Sequence, residues 1–266
     1  MNKKELLDRC ARDGSERILL ARVLDKLELS QSRGVPAHTP FLSLGEQASV
    51  TDLLNAWGRP RHLFWGGFSG SERNVCFFPA GWQGDDGILS DPEGPLTAVQ
   101  GTFPPGASLT HRDILGSLMG LGLTREVLGD ILLPQPSLCQ VVVLREAAPI
   151  LLSQWEGAGR YQASLAEIAL DRLSPKPPQV KTIRDTVATP RLDAVAAAGF
   201  SLSRGKAAGL IASGKVALNH RECLKAGRQV SEGDVLTCRG LGKCVVREVP
   251  GHSKKGRTML VIDRYL

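Results

Sequence analysis

Leu20, Val23, Leu24 and Leu27 recur at helical spacing, so residues 3–28 are expected to form helices with one apolar stripe turned inward. Gly34, Pro36 and Pro40 interrupt the pattern, and residues 30–40 read as a loop. A further helix is expected from Ser43 to Trp57. Ser43 suits the N-cap, and Glu46 stands three positions on, where it can close a capping box. The stretch HLFWGGFSGSERNVCFFPAGW places two apolar segments around a Gly/Ser-rich centre, the pattern of a strand–loop–strand. Gly81 to Pro95 is rich in Gly, Asp and Pro and reads as a boundary.

Beyond that boundary the pattern changes to strand-like and helix-like runs in alternation. Leu96–Phe103 suits a strand and Thr110–Leu121 a helix ending near Gly122. Gly129–Leu133 and Leu138–Arg145 suit two strands, Ala147–Trp155 a helix and Ala163–Ile168 a last strand. The order βαββαβ is the ferredoxin-like plan shared with many RNA-recognition domains. The two expected central strands contain no aromatic residue, so base stacking on this sheet is not expected. LSPKPPQVK, residues 173–181, carries three prolines in nine residues and reads as a semi-rigid linker. The chain therefore reads as α+β in three small domains. These are an N-terminal α/β unit (1–90), a ferredoxin-like middle domain (91–172) and, after the linker, a C-terminal module (182–266).

Thr189 is expected to cap the module's first helix with Pro190 at its first position, and Ser203 to cap a second helix ending at Gly214. Leu192, Val195, Ala196 and Gly199 make a narrow face that another helix could approach closely. Lys215–Leu218 and Arg221–Leu224 read as a hairpin about Asn219-His220, and Glu232-Gly233-Asp234 as a turn into strand Val235–Cys238. Charge singles this region out. Residues 181–266 hold 16 Lys and Arg against 7 Asp and Glu, a net of +9, whereas residues 1–180 hold 17 against 20, a net of −3. A basic module on a near-neutral body points to a polyanionic partner. Arg204 and Lys206 fall in the first turn of the second helix, the end where the helix dipole favours acids. A docked phosphate would explain the inversion.

The residues Arg191-Leu192-Asp193, Ser203-Arg204, Ala207, Leu210-Ile211, Gly214, Val216, Asn219 and Gly233-Asp234 resemble the S-four-type RNA-binding domain, with His220 where that domain commonly has Gly. The stretches WGGFSGSERNV, LTHRDILGSLMGLGLTREVLGDI, CRGLGK and HSKKGR extend the likeness, and the whole chain resembles the YlmH family of bacterial RNA-binding proteins. That resemblance implies three domains and no catalysis. It also implies binding to the large ribosomal subunit during rescue of stalled peptidyl-tRNA complexes, and a genetic link to cell-division proteins. The expected partners are structured RNA (rRNA and tRNA) and the large subunit, with cell-division proteins as further candidates; the chain is expected to act as a monomer. The expected RNA contacts are Arg191, Ser203, Arg204, Lys206, Lys215, Asn219, Arg221, Lys225, Arg239, Lys243, Lys254, Lys255 and Arg257. Ser203 and Asn219 are expected to shape the backbone as much as to touch RNA. His111, Arg112 and Arg125 are candidates for a secondary RNA contact.

Catalytic motifs are weak or missing. His111-Arg112-Asp113 mimics a kinase catalytic-loop triplet but lacks the Asn and the DFG that must follow, and reads instead as a helix start capped by Thr110. Glu72-Arg73 could be a site, but a salt bridge fixing its loop is the stronger reading. Neither GxSxG nor a phosphate-binding or dinucleotide glycine loop occurs. The five His are not paired at zinc-ligand spacing, and the six Cys contain no CxxC, so neither metal nor cofactor is expected and the thiols should be reduced. No apolar run approaches the ~18 residues of a membrane span, and MNKKELLDRC lacks the apolar core of a secretory signal, which points to the cytoplasm. The pseudouridine synthase signature GRLDxxTxG is absent. An RNA-modifying enzyme that uses the basic module for targeting, and a cell-division adaptor, stand as the alternatives to a non-catalytic binder.

Overall fold

A computed structural model of the chain describes residues 2–84 and 94–266. The chain divides between Lys176 and Pro177 into two compact units. The expected boundary at residue 90 lies outside the described residues.

The first unit opens with helices α1 (Lys3–Cys10) and α2 (Gly14–Arg33), followed by the short strand β1 (Ala37–His38) and helix α3 (Leu44–Ala56). The stripe Leu20, Val23, Leu24 and Leu27 is buried as its spacing requires. Helix α2 outlasts its expected end: Ser30 is buried and its hydroxyl donates to the carbonyl of Phe78, so a tertiary contact holds the last turn until Gly34 closes it at φ +62°. Ser43 and Glu46 form the capping box of α3. The strand–loop–strand is the antiparallel pair β2 (Leu63–Trp65) and β3 (Val75–Phe78), and β3 is the centre of a sheet ordered β1-β3-β2.

The middle region consists of β4 (Leu96–Thr102), α4 (His111–Gly120), β5 (Leu128–Gln135), β6 (Leu138–Leu144), α5 (Ala148–Gln154), a two-residue-strand hairpin β7 (Gly157–Ala158) and β8 (Tyr161–Gln162), and β9 (Ser164–Ile168). The sheet order β5-β6-β4-β9, antiparallel throughout, is the ferredoxin-like arrangement. One face packs on α4 and α5 through a core containing Ile114, Leu118, Leu151 and Trp155. Gly101 lies under Trp155, where a Cβ would come within 3.2 Å of the indole, and the indole N–H donates to Ser117 Oγ. The opposite face is also closed. Phe41, Val75 and Phe77 pack on Leu96, Val142 and Leu144, and Gly129 meets the Phe41 ring so closely that a Cβ would fall 2.8 Å from it. Leu170 and Leu173 cover the same face, and the Gln140 side chain, buried among them, bonds Gln100, the Arg172 carbonyl and the Ser174 N–H.

The Pro-rich stretch is shorter than its composition suggests. Leu173 and Ser174 are fixed to the first unit by these contacts, and strand β10 (Val180–Val187) begins before residue 181. Its exposed, mostly polar sequence carries no clear alternation; it forms because the whole of it pairs with a strand near the C-terminus.

The second unit continues with α6 (Leu192–Phe200), α7 (Arg204–Ala212), β11 (Val216–Leu218), β12 (Arg221–Glu222), β13 (Val235–Cys238), β14 (Gly242–His252) and β15 (Thr258–Tyr265). The strands make an antiparallel sheet ordered β10-β15-β14-β13-β11-β12. Leu192, Val195, Ile211, Leu236, Val246 and Ile262 are fully buried in its core. The narrow face at Gly199 admits the sheet rather than a second helix: a Cβ there would stand 2.7 Å from Cys244 Sγ and 3.5 Å from Ile262. Asn219 and His220 both take positive φ, 50° and 65°, giving the tight two-residue turn between β11 and β12.

Candidate nucleic-acid interface

The start of α6 departs from the expected cap. Arg191, not Thr189, is the N-cap residue, and no side chain caps the helix there. The loop 225–230 supplies the missing acceptors. Leu192 N–H bonds the Arg228 carbonyl (2.8 Å) and Asp193 N–H the Ala226 carbonyl (3.0 Å), while Val230 N–H returns to the Pro190 carbonyl. These bonds satisfy the first free N–H groups of the helix, so a capping hydroxyl is not needed.

Asp193 is the organising residue of the surface. It is 5% exposed. Its carboxylate accepts from its neighbour Ala194 N–H at 2.9 Å and from Arg204 Nε at 2.9 Å, and it lies 3.3 Å from Arg191 Nε. The two guanidinium groups are 41% and 56% exposed. Two arginines thirteen residues apart are thus held side by side at the junction of α6 and α7, each with part of its fork open to solvent. The first turn of α7 is therefore not the uncompensated cluster that its sequence suggests. The missing acid is Asp193 on the preceding helix. Ser203 caps α7 by accepting from the Lys206 N–H.

The same unit carries further exposed cations. Lys206, Lys215, Lys225 and Arg239 are all exposed, and the Arg239 N–H bonds the Lys215 carbonyl, which sets those two residues next to each other. Arg221, on β12, is half-buried. Arg228, absent from the expected contacts, is exposed on the same loop as Lys225. The only signal for it in the sequence is its place among the cations that precede Val230. Asp193 is likewise absent from them, since an acid is not a natural choice for an RNA contact.

Other expected contacts are engaged in holding the fold. Asn219 Nδ2 donates to Asp234 at 2.7 Å and its Oδ1 accepts from Val235 N–H, tying the hairpin to the next turn. Lys243 sits 4.3 Å above the Tyr265 ring. Arg257 donates from Nε to the Thr186 hydroxyl and also to the Thr186 carbonyl, anchoring the β14–β15 hairpin to β10. Lys254 and Lys255 are exposed at the tip of that hairpin, in the turn between β14 and β15.

In the first unit, Thr110 and Asp113 form the capping box that starts α4, so His111-Arg112-Asp113 is a helix start. The loop at Glu72-Arg73 is anchored across to β5. The backbone N–H groups of both residues bond the Asp130 carboxylate, and the Arg73 guanidinium donates to the carbonyls of Phe41, Arg125 and Leu128. Burial, then the neighbouring Arg125, lowers the Arg73 pKa. Among the described residues no His, Cys, Asp and Glu group together as metal ligands, and no helix is long and apolar enough to cross a membrane.

Fold and surface together define a protein with a ferredoxin-like domain followed by a basic α+β module that presents paired arginines. Residues 190–236 match the S4 domain, and residues 104–172 match the family described as a putative RNA-binding domain in YlmH. The chain carries both domains in this order and is similar to YlmH proteins. The ribosome-associated protein quality control protein P2 of Bacillus subtilis (strain 168) is 35% identical over 157 residues, 59% of this chain. The match spans 61% of that relative's length. The solved structure of the cell division protein ylmH from Streptococcus pneumoniae shares the fold at a TM-score of 0.50 and 17% identity, covering 62% of this chain and 98% of that one.

Proposed function

We propose that this protein is a non-catalytic RNA-binding protein that associates with the ribosome, on its large subunit, in the rescue of stalled translation. The Bacillus subtilis relative is named for ribosome-associated quality control, and both matched domains are of RNA-binding type. The observation that carries the reading is the arginine pair on Asp193 with Lys206, Lys215, Lys225 and Arg239 exposed on the same module. Lysines neutralise phosphates as point charges, while arginine forks bond them bidentately. Structured RNA, whose deep groove side chains do not read, is recognised through such contacts to its backbone and shape. Rigid placement of Arg191 and Arg204 gives the module a fixed point of register on rRNA or tRNA, and the exposed lysines of the same unit supply affinity.

The test is a salt titration of ribosomal RNA binding by the full chain and by Arg204→Ala with Lys206→Ala. Removing one phosphate-binding cation lowers the slope of log-affinity against log-salt by about 0.7–0.9 in magnitude. The double variant is expected to bind more weakly at low salt, with a flatter slope, while total rRNA incubated with the protein keeps unchanged nucleosides by mass spectrometry. An unchanged slope shifts the contact row to Lys215, Lys225 and Arg239. A new modified nucleoside overturns the non-catalytic reading.

A further inference from the structure

The residues that match the S4 domain end at 236, and the second unit continues beyond them in β14 and β15. These strands pair with each other, and β15 also pairs with β10, which precedes the match. Together they build a braced finger. Between β14 and β15 the chain turns through Ser253-Lys254-Lys255-Gly256. Gly256 N–H bonds the Ser253 carbonyl at 2.8 Å, Ser253 N–H bonds the Arg257 carbonyl at 2.7 Å, and Arg257 N–H bonds Ser253 Oγ at 3.2 Å. Gly256 takes φ +73°, which glycine adopts without strain. Lys254 and Lys255 hold the two central positions of the turn and are exposed, and among the described residues no acid pairs with either.

The finger is tied to the arginine pair through β10. Val187, the last residue of β10, stands opposite Thr258, the first of β15, at the base of the turn. Arg257 reaches from the turn to Thr186, with Nε on the hydroxyl at 3.1 Å and Nη2 on the carbonyl. Asp185 turns its carboxylate on the Thr186 N–H, so both backbone groups of Thr186 and its hydroxyl are engaged. Four residues after Val187 the chain reaches Arg191, whose N–H closes a tight turn on the Thr189 carbonyl at 2.8 Å. At about 3.5 Å per extended residue and about 5 Å across the strand pair, Lys255 and Arg191 stand no more than about 30 Å apart. One frame carries both the lysine tip and the arginines that Asp193 holds.

We propose that this finger makes the second unit select double-helical RNA over single strands. This rests on the RNA-binding reading above and names the form of RNA that the unit takes. The arginine pair grips the backbone at one point and the lysine tip at a second, and the protein sets the distance between them. A duplex presents its phosphates in a fixed array and meets both points without being reordered. A single strand must be ordered to do so, and that cost offsets the second contact. A loose finger loses the discrimination, because the two contacts are then no longer linked at a defined spacing. Thr186 and Arg257 are positioning residues, acting through Lys254 and Lys255.

The experiment uses the full chain with two probes, a ribosomal RNA stem–loop and an unpaired oligouridine of equal length. The wild-type chain should bind the stem more tightly. Lys254→Ala with Lys255→Ala should flatten the stem's slope of log-affinity against log-salt by about 1.4–1.8, the share of two phosphates, and leave the single strand's slope unchanged. Thr186→Val removes only the hydroxyl, and Arg257→Lys keeps the charge but removes the fork. Each should weaken stem binding by roughly two- to twelvefold, the contribution of about one hydrogen bond, and leave oligouridine binding within about twofold. Thermal melts check folding. If the brace variants unfold the unit, the lysine variant decides, since both its side chains are exposed. Equal weakening on both RNAs overturns the selection and makes the tip an ordinary patch of charge. Unchanged stem binding in folded variants overturns the finger's role. Equal binding of the two RNAs by the wild-type chain also overturns it, with the RNA-binding reading intact. Failure of the wild-type chain to bind either RNA overturns that reading, and the finger with it.

Discussion

Replacing Asp193 with Asn tests the organising role directly, because the shape is kept and only the charge and one acceptor are removed. The amide oxygen can still accept from Ala194 N–H, as the carboxylate does at 2.9 Å. The amide nitrogen then faces Arg204 Nε, a donor against a donor where a 2.9 Å ionic bond stood, and Arg191 Nη2 loses the same oxygen at 3.4 Å, while Arg191 Nε keeps the other oxygen at 3.3 Å but without its charge. A hydrogen bond to a charged group contributes about 1.5–3 kcal/mol, so two would set a ceiling of about 3–6 kcal/mol. The guanidinium groups are 41% and 56% exposed, and water takes up much of what they give up. Halving for that screening leaves a destabilisation of about 1.5–3 kcal/mol. For a unit of this size each kcal/mol moves the melting temperature by about 4–8 °C, so the transition of the second unit should fall by roughly 6–24 °C. The assay is thermal and urea unfolding of wild type, Asp193→Asn, Arg204→Ala and the double variant. The two single effects should be strongly non-additive, with a coupling of about 1 kcal/mol, as expected of groups in one ionic network. Unfolding of Asp193→Asn at the wild-type midpoint, or additive effects in the cycle, would refute the reasoning and make the arginines independent surface charges.

Three further outcomes are expected. A fragment of residues 177–266 should fold by itself and bind ribosomal RNA at low salt, since its core is internal and its length lies within the range of independent domains; a fragment without a cooperative melt counts against this. Gly205→Ala should stabilise the second unit by about 0.5–1 kcal/mol, because its Cβ meets open space in a helix, whereas Gly199→Ala should destabilise it by about 1–3 kcal/mol through collision with Cys244, with partial rescue by Cys244→Ala; urea midpoints read both. Burial pushes the Cys139 and Cys244 thiols up to about 12 and that of Cys76 higher still, so these three should resist a thiol reagent at about pH 8 in the folded protein while Cys10 and Cys223, partly exposed, react first; mass spectrometry of pulse-labelled peptides gives the order.

What the sequence determines by itself is local. Ser43 with Glu46, Thr110 with Asp113, and Ser203 each carry the donors and acceptors that start a helix, so these starts are legible from a few neighbouring residues. The order βαββαβ follows from periodicity and turn residues, and the excess of cations after residue 181 marks the module that matches the S4 domain. Tertiary structure decides what depends on which segments meet. Strand β10 has little pattern of its own and exists by pairing with β15, about eighty residues away. Whether the sheet of the middle domain is open depends on Phe41 reaching Gly129, from a loop that carries no mark of its destination. The cap of α6 comes from backbone carbonyls of a distant loop, which no side-chain motif announces. Arg191 and Arg204 are both candidates on charge alone, but only the fold brings a buried carboxylate between them. A burial that removes Asp193 from water makes it seek both cations, and that converts two surface charges into one fixed feature.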